Sequence, residues 1–256
     1  MERCKWKVGK PKPALDVLQS MLETATNKNF ISSIYLSKAE INLDIDNSKL
    51  AIEYLVLAAE TNKDRDERGE IYYRIAELAY NAEDYEQSLS ANTEVVKNST
   101  SKKRKEEANL QIVRIHRLLG NWDTVKDLIK SMLLDETFKT IHGDLDLELV
   151  KLYQMDGLME EAITRIESIK EDYKNSKTSA EAYYIHGEIA LYDYWSLDDA
   201  KKYFEWVTRE YRQSIYTATA NLRAKEITKY QESLEEITTL DDHILLTIAV
   251  LDSLID

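Results

Sequence analysis

The chain has 256 residues, with 34 Lys and Arg against 47 Asp and Glu, and a net charge of −13. An acidic chain with no basic domain lacks the surface that displaces counterions from phosphates, which argues against nucleic acid and against adsorption on anionic lipid. A single cysteine excludes an intrachain disulfide, and no run approaches the ~18–20 apolar residues needed for membrane insertion.

Only 6 Gly and 2 Pro beside 43% apolar residues favour long helices over a turn-rich β fold. In chain order, residues 1–9 read as the last turns of a helix whose beginning is missing, with Cys4 and Trp6 at helical spacing and Gly9 ending it. Pro11 and Pro13 then fall in the first turn of the next helix, where the missing N–H groups have no intrahelical partner anyway. That helix carries Leu15, Leu18, Met21 and Leu22 on one side. Paired amphipathic runs follow at about 30–62, 66–98, 103–134, 144–173 and 178–211. A cap-type residue marks the start of the second run of each pair: Asn47, Asp84, Asn121 and, one later, Ser196.

These pairs keep one register. In the pair 144–173 the two runs meet at Asp156-Gly157, and Ala162 lies one turn into the second run. Steps of 37 from Ala162 reach Val125, Ser88, Ala51 and Ala14, and a step of 38 reaches Ala200. One parallel column holds Ile41, Leu78, Ile115, Leu152 and Ile189; another Met21, Ala58, Val95, Met132, Ile169 and Val207; a third Ala39, Ala76, Val113, Val150, Gly187 and Ala224. Gly9, Gly120 and Gly157 share a fourth. A fixed period of this length is the mark of a helical repeat array.

Between the third and fourth pairs, Lys102-Lys103-Arg104-Lys105 is followed by two glutamates and reads as a solvated linker. Asn98-Ser99-Thr100 matches a glycosylation acceptor in a chain with no visible route to secretion. Past Ser214 the pattern fades, and Ile237 stands where a small residue is due. This divides the chain into an array over 1–236 and a C-terminal apolar helix over 237–256, with Ile244–Ile255 expected to cap the array, to meet a partner or to mediate self-association.

The columns resemble the tetratricopeptide repeat (TPR). Ala39, Ala76 and Gly187 match its small residue in the first helix. Gly9, Gly120 and Gly157 match its turn glycine, Tyr85 and Trp122 the aromatic opening the second helix, and Ala14, Ala51, Ala162 and Ala200 the alanine within it. The likeness covers about residues 1–230. It departs from the family in its period of 37, in the missing unit-closing proline, and at Ser88 and Val125. The endings Tyr173-Lys174-Asn175-Ser176 and Tyr211-Arg212-Gln213-Ser214 resemble the Tyr-Pro-x-Ser endings of bacterial envelope repeat proteins, such as the outer-membrane assembly lipoproteins, with Lys174 and Arg212 in place of the proline. The resemblance implies an all-α, right-handed α-solenoid of about six helix-turn-helix repeats plus a C-terminal helix. It further implies a non-catalytic scaffold that binds a protein or peptide in a concave groove lined by the first helices. The alternative is a structural assembly element of a larger complex, or a piece of a longer array.

Eleven residues before each reference position lie Arg3, Glu40, Glu77, Arg114 and Lys151, with Glu188 and Lys225 continuing the series. A column that is charged throughout does not face a core, because burying an unpaired charge is expensive. It either reads a ligand or pairs with itself, as Arg3–Glu40, Glu77–Arg114 and Lys151–Glu188 would allow. The next column holds Trp6, Leu43, Tyr80, Arg117, Gln154 and Leu191, and one turn earlier lie Tyr73, Leu110, Leu147 and Tyr184. Aromatics beside charges are the makings of a peptide hot spot. Glu40, Tyr73, Glu77, Tyr80, Arg114, Arg117, Lys151, Gln154, Tyr184 and Glu188 are therefore the candidate partner-binding residues.

No catalytic, cofactor or metal site is expected. His116, His142, His186 and His243 fall in different columns, and Cys4 lies in an apolar one. No Gly-rich phosphate loop or hydrolase motif occurs. Glu160-Glu161, Asp198-Asp199 and Asp241-Asp242 stand at expected helix starts, where negative charge is favourable. The opening MERCKWKVGK has no signal-type apolar stretch, which places the chain in the cytoplasm by default, or at the envelope if it is a fragment with a leader upstream.

Overall fold

The computed structural model describes residues 11–252, the side chains of 242 and 248–252 excepted. The readings on Arg3, Cys4, Trp6, Gly9 and the end of the 244–255 segment lie outside the described residues. Among these residues the fold is all-α, with twelve α-helices, one 3-10 segment and no strand. The chain divides into two compact units between Ile141 and His142. The N-terminal unit holds α1 (Pro11–Thr24), α2 (Lys28–Asp44), α3 (Ser48–Thr61), α4 (Arg65–Asn81), α5 (Tyr85–Asn98), α6 (Lys102–Leu118), α7 (Trp122–Leu133) and the 3-10 turn Glu136–Ile141. The C-terminal unit holds α8 (His142–Met155), α9 (Met159–Asp172), α10 (Lys177–Tyr192), α11 (Leu197–Glu210) and α12 (Thr217–Asp252). The helical pairs expected from the register are thus α2–α3, α4–α5, α6–α7, α8–α9 and α10–α11.

The register is built from burial. Ala14, Ala51, Ser88, Val125, Ala162 and Ala200 are all 0% exposed. A small side chain there lets the second helix of each pair lie close against its neighbours, and Ser88 adds a hydrogen bond from its hydroxyl to the Ala76 carbonyl at 2.9 Å. One turn further, Leu18, Leu55, Ile129, Ile166 and Phe204 fill a second core column. The column of small residues on the first helices answers to it. A Cβ at Gly187 would lie 2.7 Å from the Phe204 ring, so the largest filler of the second column takes the smallest residue opposite.

Each turn within a pair needs one residue in the left-handed region. Asp46, Glu83, Gly120, Gly157 and Trp195 occupy it in turn, with φ of 57°, 59°, 74°, 74° and 51°. The next N–H then reaches back to close the first helix, as in Asn47 to Asn42 O (2.8 Å), Asp84 to Ala79 O (2.9 Å) and Leu158 to Tyr153 O (2.9 Å). Glycine marks this position at only two of the five turns; elsewhere the helix-ending hydrogen bonds hold a side-chain-bearing residue there.

The expected caps divide. Asn47 and Asp84 accept from the backbone N–H of Leu50 and Gln87 at 3.4 and 3.0 Å. Asn121 instead places its amide nitrogen 3.2 Å from His116 Nδ1, and Ser196 donates to Asp199 Oδ2 at 2.8 Å. Nor is the basic run a linker: it forms the first turn of α6, where Lys102 and Lys103 pair one turn on with Glu106 and Glu107 at 3.5 and 3.7 Å. Asn98 is buried and held by Glu94 and Arg68, so the glycosylation pattern belongs to a packed helix end. The boundary read at 236/237 falls inside α12, which runs unbroken for 36 residues.

Holding a non-glycine residue in the left-handed region costs about 1 kcal/mol. Glu83 is exposed, so Glu83→Gly relieves this strain without opening a cavity. Its thermal midpoint should rise by about 1–4 °C; a lower midpoint would show that the side chain, rather than the turn, holds this position.

Candidate functional site

In the N-terminal unit, α4, α5 and α6 enclose a cavity of about 330 Å³. Four candidate residues line it: Tyr73, Glu77 and Tyr80 from α4, and Arg114 from α6. Ala76 and Asn81 of α4, Asn92 of α5 and Glu107, Leu110 and Gln111 of α6 complete the wall. Asn92 departs from its column. It stands 37 residues from Leu55 and from Ile129, in a core column that is otherwise Leu, Ile or Phe. The shorter, polar side chain is buried, and its amide donates to the Ser88 carbonyl at 2.9 Å. The sequence reading missed Asn92, although a lone polar residue in an apolar column was the signal to follow.

The cavity wall is polar and ordered. Burial, with a hydrogen bond to Glu77, holds the Tyr73 hydroxyl above its ordinary pKa. The Arg104 guanidinium lies 3.8 Å from the Tyr73 ring centre and pairs with Glu70 at 3.1 Å and Glu107 at 3.3 Å. Arg114 donates to Gln111 at 3.4 Å. Beyond Tyr73 and Glu77 lies a second hollow, about 920 Å³, edged by Asp64, Asp66, Glu67 and Glu70 with Arg74. Glu40 of α2 stands 4.0 Å from Arg74. Arg117 is half-buried one turn past Arg114.

In the C-terminal unit the candidates are tied into the fold. Lys151 of α8 pairs with Glu148 at 3.3 Å and Glu181 at 2.9 Å, rather than with Glu188 as its place in the register suggested. Glu188 takes the Tyr184 hydroxyl, and burial raises its pKa against that bond and the nearby Arg223. Burial first, then the Glu188 charge, pushes the Tyr184 hydroxyl up to about 12. Its ring stacks on Tyr216 at 4.6 Å and leans on Phe204 at 5.7 Å. Tyr184, Glu188 and Lys151 thus join α8, α10, α11 and α12 together. Gln154 is half-buried one turn beyond Lys151.

No protein-family model matches the sequence, and no curated protein matches it. Solved structures do. A tetratricopeptide repeat protein from Parabacteroides merdae aligns over 89% of this chain and 81% of its own, at 16% identity and a TM-score of 0.51. The C-terminal part of a TPR repeat-containing protein from Cytophaga hutchinsonii aligns over 82% of this chain and 77% of its own, at 14% identity and the same TM-score of 0.51. The chain has the TPR fold.

A second departure from the TPR register lies between α9, α10 and α11. Lys170 stands where other repeats carry Leu22, Ala59, Val96 and Leu133, and it is 5% exposed. Its ammonium lies 3.0 Å from Glu167 and 2.6 Å from His186 Nδ1, over the faces of Tyr183 and Tyr203 at 4.5 and 4.4 Å. The His186 ring stacks on Tyr203 at 3.9 Å. Burial and then the Lys170 charge push His186 down to about 4, and burial lowers Lys170 as well. The neutral imidazole accepts a hydrogen bond from the ammonium. Every group here has a partner within the chain, which makes the cluster a clamp between repeats.

The unfolded chain protonates His186 near pH 6.5, whereas the fold resists until about 4. Between those values the unfolded state binds more protons, so stability falls as pH falls. His186→Gln keeps an acceptor for Lys170 and removes the titration. Its loss of stability from pH 7 to 4.5, measured by urea unfolding, should be smaller than that of the wild type by on the order of 2 kcal/mol. Equal losses would show that His186 does not titrate on unfolding.

Proposed function

We propose that the chain is a non-catalytic scaffold that holds a peptide segment of a protein partner, with a basic side chain of that segment entering the cavity between α4, α5 and α6. The observation that carries this reading is Asn92: the one polar residue in an apolar core column lines a hollow together with Tyr73, Glu77, Tyr80 and Arg114.

Charge supports the choice of ligand. Glu77 and Glu107 face one arginine in the cavity, and the adjoining hollow adds four carboxylates against Arg74. Arg104 already lies on one face of Tyr73, and the ring faces are suited to cations. Rings, carboxylates and a guanidinium are the equipment of recognition. The Tyr-x-x-Ser unit ends extend the reading to a bacterial envelope setting. Their serines hold the turns, Ser176 donating to Tyr173 O at 2.6 Å and Ser214 accepting from Tyr216 N at 3.2 Å.

A positional-scanning peptide array probed with the labelled full chain tests this. One array position should prefer Lys or Arg. Glu77→Gln should weaken binding of the selected peptide about tenfold, or 1.4 kcal/mol. Asn92→Leu restores the apolar column and should abolish binding while melting no lower than the wild type. A selection that Asn92→Leu leaves unchanged would overturn the reading.

A further inference from the structure

α12 divides into two parts. Its first turns pack on α11 through Ala220, Ala224 and Ile227, which are buried. Gln231 donates to Asp198 at 2.9 Å. From Glu232 on, every described side chain is exposed. The hydroxyls of Ser233, Thr238 and Thr247 return to carbonyls of α12 itself, those of Lys229, Leu234 and His243. Over 232–247, about 24 Å of helix, no described side chain is buried.

The exposed part carries a heptad. Leu234, Ile237, Asp241 and Ile244 follow the alternating spacing of four and three that defines a and d positions, and the sequence continues it through Ile248 and Leu251. Leu234, Ile237, Leu240, Ile244 and Leu245 are 42–64% exposed. Between Leu234 and Ile248 the flanking e and g positions hold Thr238, Leu240, Leu245 and Thr247, none of them charged. Glu232, Glu235 and Glu236 fall at f, b and c, on the other side. Two copies can therefore lie seam to seam without like charges meeting along their flanks.

We propose that the free part of α12 is a homotypic pairing surface, in which Leu234, Ile237 and Ile244, flanked by Leu240 and Leu245, pack against the same seam of a second copy. Asp241 is the one polar residue at an a position. It weakens the pair and restricts its register, the usual consequence of a polar group in such a seam. Pairing joins two arrays, so two segments of a multivalent partner bind with an avidity that a single array lacks. The pairing is independent of the peptide reading; only the avidity rests on it.

Sedimentation equilibrium on the full chain tests it. The wild type should run at twice its 29.7 kDa. Ile244→Glu, at d, should run as a monomer with unchanged helix content. Leu246→Glu, at f, should remain paired, although Leu246 is 64% exposed. Asp241→Leu should tighten the pair tenfold or more. A wild-type monomer overturns the proposal. So does equal behaviour of Ile244→Glu and Leu246→Glu, which would mean undirected apolar contact.

Discussion

The close approach of helices at one small residue per repeat governs the rest of this structure. Ala14, Ala51, Ser88, Val125, Ala162 and Ala200 have no exposed surface, and the columns around them inherit their depth from that approach. Because the approach recurs at a fixed period, equivalent positions meet equivalent surroundings, and the core is a set of columns rather than one cluster. Gly187 and Phe204 show how tightly the columns are linked: a larger filler in one demands a smaller residue in the next. Fold information in such a chain lies in spacing more than in any individual residue.

Departures from the columns carry the remaining information, and they are of two kinds. A polar group in a core column costs free energy unless it is hydrogen-bonded. Lys170 and His186 satisfy each other and are enclosed by Tyr183, Tyr203 and Glu167, so the departure closes on itself and serves packing. Asn92 is bonded to Ser88 yet borders an open hollow. The first kind is closed by partners within the chain; the second borders a hollow. The same criterion separates the candidate residues. Lys151, Tyr184 and Glu188 are committed to neighbours across helices, while Tyr73, Glu77, Tyr80 and Arg114 surround space.

The sequence was informative where one side chain answers to one position. Helix pairs fell within two residues of their observed bounds, and the reference column was buried at every described position. It was less informative where the outcome depends on the offset between helices. Lys151 meets Glu181 rather than Glu188 because long side chains reach across neighbouring helices as well as along a column. Turn conformation was also only half visible. Gly120 and Gly157 announce a left-handed residue, but Asp46, Glu83 and Trp195 adopt it under the same backbone hydrogen bonds. The cavity could be read only by asking which core column contains a residue too short and too polar for it, a comparison that needs the column to be known as core.

The ending of the chain follows from the same rules. The first helices of three repeats, α2, α4 and α6, are each 17 residues long. Counted from Thr217, that length brings α12 to Ser233, the place for a turn. None comes: the residue due in the left-handed region is Glu232, and the helix continues through it. A seventh second helix would also need a small side chain at Ile237 to fold back against the first, and isoleucine is too large for that approach. The helix therefore continues straight. The apolar residues that would have filled a seventh core column are carried outward, and they begin at Leu234, the first residue past the missed turn. What would have been the inside of one more repeat becomes an exposed stripe, and its apolar residues, now counted along a single helix, recur at alternating spacings of three and four.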